Sequence, residues 1–140
     1  MNKSLKTLSR IQKFNIDEQR KRLAEKMEEE AVVIDNIRKL DARYREEKAF
    51  AAKNPGVGDF GLFTKRYLEL RRREEEHLKQ VKLQIEEIRD KISEMFKEQK
   101  TFEIVDQRRA AAERYENEQK EQKMLDEIGT NAYIKKHEEN

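Results

Sequence analysis

The chain has 140 residues, 44% of them charged and 35% hydrophobic, with four glycines, one proline and no cysteine. Its 32 Lys and Arg face 30 Asp and Glu, so the formal net charge is only +2 and the charges read as interleaved solvated faces, not a polyelectrolyte for nucleic acid. This composition excludes a large rounded core, disulfide stapling and thiolate chemistry, and it favours long helices in a reducing compartment.

The first predicted element is a helix from about Ser4 to about Ala52, marked by the sparse apolar stripe Ile16, Leu23, Met27, Val33, Ile37, Leu40 and Tyr44. Its first 26 residues carry eight basic and three acidic side chains. Leu5, Leu8 and Ile11 recur there at spacing three, with Phe14 and Ile16 just beyond. Such an amphipathic basic stretch reads either as a solvated helix end or as a face for an acidic partner, a phosphate backbone or an anionic membrane. The helical pattern then breaks at residues 53–59, where Asn54, Pro55, Gly56 and Gly58 predict a turn. The string Gly56-Val57-Gly58-Asp59-Phe60-Gly61 matches a dinucleotide-binding pattern. A charged helix precedes it where that chemistry needs a strand, so it reads as a hairpin tip.

A second helix is predicted from about 60 to about 128. Phe60, Phe63, Tyr67 and Leu70 lead into a strong seam of Leu78, Val81, Ile85, Ile88, Ile92, Met95, Gln99 and Phe102, alternating at three and four residues. A 3.5-residue repeat keeps one narrow stripe against a partner helix. Leu70 and Leu78 are eight residues apart where a heptad gives seven, which brings Glu74 and His77 near the seam. Beyond Phe102 the pattern fades into Asp106, Arg109 and Ala110-Ala111-Ala112. Gly129 and Thr130 predict a stop, leaving a tail over 129–140. The expected fold is all-α: a single antiparallel two-helix coiled-coil hairpin over 1–140, with a longer second helix.

Chemistry is sparse. His77 and His137 lie sixty residues apart with no cysteine to join them, and carboxylate pairs such as Glu86-Glu87 sit on solvated helices that cannot separate their pKa values. No enzyme activity, cofactor or metal is expected. Arg71-Arg72-Arg73 is answered by Glu74-Glu75-Glu76, a pattern of intrahelical ion pairs and not a nucleic-acid patch. Tyr44, Phe50, Phe60, Phe63 and Tyr67 gather near the turn, where exposed aromatics would be binding anchors. With no apolar run of about 18 residues and no signal-peptide core, a soluble cytoplasmic protein is expected.

Ser4-Leu5-Lys6-Thr7-Leu8-Ser9-Arg10-Ile11-Gln12-Lys13, the central turn and Glu121-Gln122-Lys123-Met124-Leu125-Asp126-Glu127-Ile128 together resemble the flagellar export protein FliJ family. The resemblance implies a soluble component of the flagellar type III protein export apparatus, a hairpin similar to the central stalk of rotary ATPases. It would bind the export ATPase FliI, promote assembly of its ring, contact the export-gate protein FlhA and serve export chaperones. It would lie in the cytoplasm, peripheral at the inner face of the cell membrane through its partners. Carried over by position, ATPase binding falls on Leu5, Leu8, Arg10 and Ile11 with Met124, Leu125 and Ile128. Export-gate binding falls on Leu40, Tyr44, Phe63, Tyr67 and Leu70. The rival readings are a generic coiled-coil scaffold and a prefoldin-like holdase, the latter needing strands that so short a glycine-rich turn does not supply.

Overall fold

The computed structural model describes residues 3–138 and contains two helices, α1 over Lys3–Lys53 and α2 over Phe60–Glu138. Among the described residues no helix is long and apolar enough to cross a membrane. The chain divides into two compact units, Phe14–Met95 and a second that pairs the start of α1 with α2 from Phe96 onward.

The Phe14–Met95 unit is an antiparallel helical hairpin. Its turn begins where Pro55 removes a backbone donor and disfavours helical geometry at Asn54. Asn54 closes α1 by donating both its backbone N–H (2.9 Å) and its side-chain Nδ2 (3.0 Å) to the carbonyl of Phe50. Gly56 and Gly58 take φ of 82° and 72°, the left-handed region where a side chain is strained. Asp59 then starts α2 as an N-cap: its Oδ1 accepts the Leu62 N–H at 3.0 Å. The first two of the three glycines of the dinucleotide-like string are therefore spent on reversing the chain between two helices, and the third, Gly61, lies in the first turn of α2.

Burial in this unit follows one rule. On α1, Ile16, Gln19, Leu23, Lys26, Glu30, Val33, Ile37, Leu40, Tyr44, Glu47 and Ala51 are all buried or half-buried, alternating at four and three residues. On α2 the same alternation runs from Phe60 through Thr64, Tyr67, Arg71, Glu74 and Leu78 to Met95. Val33 and Val81 are 1% exposed, and Ile16, Ile85 and Ile88 are 4% exposed. This repeat is the heptad spacing of a coiled coil. It corrects two details of the apolar reading. Met27 is 45% exposed because Lys26 takes the inward position, its methylenes covering the seam while Nζ reaches Glu29 at 3.0 Å. Leu70 is 46% exposed because Arg71 holds the heptad position beside it.

Polar residues at inward positions leave a signature. The side-chain oxygens Gln19 Oε1, Thr64 Oγ1 and Glu74 Oε2 in this unit, and Gln99 Oε1 in the other, are buried without a hydrogen-bond partner. An orphaned buried acceptor or hydroxyl costs about 1–3 kcal/mol. Thr64→Val keeps the branched shape and removes the hydroxyl. It should raise stability by about 1 kcal/mol in urea unfolding with an unchanged m-value, and a loss would show that the hydroxyl is satisfied in solution.

In the second unit Leu5 (8% exposed), Ser9 (7%) and Gln99 (8%) form the buried layer. Gln99 Nε2 donates to Ser9 Oγ at 2.7 Å, and Gln12 Nε2 donates to Glu98 Oε2 at 2.9 Å. From 107 to 138 every residue of α2 is exposed. The helix does not stop at Gly129: that residue and Thr130 are helical, and Gly129 takes no positive φ. A mid-helix glycine costs only about 1 kcal/mol, too little by itself to end a helix of this length. The predicted tail is thus helical over 129–138, and residues 139–140 lie outside the described residues.

Candidate partner-binding surfaces

Of the five residues assigned to gate binding, the fold stacks three. Tyr44 lies against Tyr67 with ring centroids 4.3 Å apart and planes 10° from parallel, and against Phe60 at 5.8 Å. Phe63 stacks on Phe60 at 6.4 Å, and the Arg43 guanidinium lies 5.5 Å over the Phe63 ring. All four rings are half-buried: the heptad turns Tyr44, Phe60 and Tyr67 inward at the tip, and Phe63 flanks that seam beside Thr64. They act first as packing. Leu40 and Leu70 instead share the wall of an open groove of about 310 Å³ with Asn36, Lys39, Arg43 and Glu74. Leu70 is presented there because Arg71 displaced it from the seam. A second groove, of about 240 Å³, lies at the tip between Phe50, Val57 and Phe63, with Phe50 51% and Val57 58% exposed.

Arg71 is held by a carboxylate that apolar periodicity could not single out. Asp41 Oδ1 accepts the Tyr67 hydroxyl at 2.5 Å and Arg71 Nε at 2.9 Å, and Asp41 Oδ2 lies 3.3 Å from Arg71 Nη2. Arg71 Nη1 pairs with Glu75 on its own helix. Hydrogen bonds from Arg71 and then Tyr67 hold the Asp41 carboxyl below the ordinary carboxylate range. The same contacts raise the Tyr67 phenol, chiefly through its bond to Asp41, and raise Arg71 further. This clamp fixes the Tyr67 ring at its hydroxyl while Tyr44 fixes its face. Six residues beyond Arg71 on α2, His77 Nε2 lies 2.8 Å from Glu29 Oε1, and the hydrogen bond from His77, followed by that from Lys26, lowers the Glu29 pKa.

The residues assigned to ATPase binding fall into two separate groups. Leu8 (48% exposed), Ile11 (52%) and Arg10 are open to solvent, whereas Leu5 is 8% exposed and faces inward at the heptad position before Ser9. Met124 (61%), Leu125 (61%) and Ile128 (59%) lie on the fully exposed part of α2. Met124 is 25 residues beyond Gln99, the partner of Ser9, or about 37 Å along the helix axis. The two groups therefore do not form one continuous patch. Among the described residues no cluster of three or more His, Asp or Glu is placed to hold a metal ion. No known family, curated protein or solved structure matches the chain.

Proposed function

We propose that this chain is a component of the flagellar type III protein export apparatus that binds the export ATPase FliI, promotes assembly of its ring and contacts the export gate FlhA. The observation that carries the reading is the state of residues 121–128, the C-terminal stretch most similar to FliJ. They sit on a helix with every side chain exposed, so Met124, Leu125 and Ile128 present an apolar face that nothing else in the described chain uses. An exposed cluster of this kind fits a partner anchor. Leu8, Arg10 and Ile11 offer a second, smaller face, and the Leu40–Leu70 groove is the best gate candidate, since Tyr44 and Tyr67 are committed to each other. On this reading the chain performs no chemistry. It supplies contact energy to a ring that hydrolyses ATP, and its place at the inner face of the membrane comes through its partners.

The test is ATP turnover by the export ATPase of the same organism, titrated with this protein. Turnover should rise saturably at substoichiometric amounts, and Leu125→Ser should reduce that rise about tenfold while leaving the melting curve unchanged. No rise and no complex, with both proteins folded, would favour a scaffold.

A further inference from the structure

We infer that the exposed end of α2 pairs with a second copy of this chain as an antiparallel two-helix seam centred on Asp126. The stripe Arg114, Asn117, Glu121, Met124, Ile128, Asn131, Lys135 and Glu138 alternates at three and four residues, the spacing that two helices need to meet along one line. All of it is exposed. The order along the stripe is self-complementary only when the copy runs the other way. Met124 then meets Ile128 of the copy at the centre, and Ile128 meets Met124. Asn117 meets Lys135, and Glu121 meets Asn131. At both ends Arg114 meets Glu138, two opposite charges that make no ion pair among the described residues.

Other arrangements are disfavoured by the same side chains. In a parallel, in-register pair Arg114, Glu121, Lys135 and Glu138 would each face their own copy, four like-charge contacts along one seam. Sliding the antiparallel pair by one heptad sets Glu121 against Glu138 in one direction and Met124 against Glu121 in the other. The register centred on Asp126 keeps the apolar layer intact. Its one like-charged approach is Glu127 to its own copy, on the flank where water screens it. A two-fold axis through the contact makes the interface isologous, so it closes at two chains and does not propagate.

With one apolar layer repeated about the axis, the dimer is weak and its charges carry the register. It withholds Met124, Leu125 and Ile128 from any other partner, yet the inference does not rest on the export reading, because its test uses the chain alone.

The test is sedimentation equilibrium of the full chain from about 10 µM to about 0.5 mM. A monomer–dimer equilibrium is expected, weakening with salt. Arg114→Glu should raise the dissociation constant about tenfold, since each dimer gains two repulsive contacts in place of two attractive ones. Arg114→Glu combined with Glu138→Arg should restore it. Both positions are exposed, and circular dichroism should confirm unchanged helix content. A monomer throughout, or a dimer indifferent to the charge reversal and its rescue, overturns the inference.

Discussion

Ile88→Asp should unfold the Phe14–Met95 hairpin at room temperature or lower its melting temperature by well over 10 °C. Ile88 is 4% exposed and sits on α2 in a run with Val81 and Ile85 that is nearly closed to water. Losing a buried Ile side chain costs about 2–5 kcal/mol, and the new carboxylate must be desolvated within that apolar run. A protein with so small a buried core has no reserve for a loss of that size, since whole domains are stable by only about 5–15 kcal/mol. Thermal unfolding followed at 222 nm reads the outcome. An unchanged melting curve would mean that the seam through Ile88 does not hold the hairpin together.

Asp41→Ala should cost about 1–2 kcal/mol, the second largest loss expected. It leaves the Tyr67 hydroxyl without its acceptor and Arg71 with only Glu75, at a heptad position that Arg71 occupies only because Asp41 pairs it. The figure stays modest because the Asp41 and Arg71 side chains keep 27% and 34% of their exposure, so solvent screens the pair. The pH dependence has a definite sign. The Asp41 pKa is lowered on folding from an ordinary value of 3.8, so the unfolded chain binds the proton more readily. The stabilisation is therefore complete above about pH 5 and is lost as the pH falls through the folded pKa, below about 4. Tyr67 gives the opposite edge: its pKa is raised above 10.0, so its contribution holds below that pH and is lost in strong alkali. Wild type and Asp41→Ala should thus converge in stability as the pH is lowered from 6 to 3. Parallel curves would show that the Asp41 carboxylate is not the titrating group.

The sequence made the apolar half of the seam legible and hid the polar half. From Leu78 to Phe102 every expected seam residue is buried or half-buried, because an apolar residue at heptad spacing has little choice but to face its partner helix. North of Leu78 the repeat continues through Glu74, Arg71 and Tyr67, but a search for apolar residues steps onto Leu70 instead. Continuing the alternation of three and four back through Leu78 without regard to residue type would have found Arg71. On α1 the inward positions include Gln12, Gln19, Lys26, Glu30 and Glu47, whose long stems cover the seam. Asp41 was illegible for a different reason: its importance lies in a contact with a residue thirty positions away, and no local pattern marks it. The placement of Leu5 and Leu8 was only half legible, since both belong to one amphipathic stretch and only the pairing with α2 decides which of them is covered.

The buried Gln99–Ser9 hydrogen bond bears on how the start of α1 and the part of α2 beyond Phe96 find their alignment while folding. Repetitive apolar seams can zip in the wrong place and still bury much of their surface, which makes mis-zippered chains long-lived. A slip of one heptad toward Ile16 would set the Gln99 amide against an apolar side chain and cost it the one hydrogen bond that Ser9 accepts. Such a chain must let go and try again, so one amide and one hydroxyl proofread the alignment, at some cost in final stability.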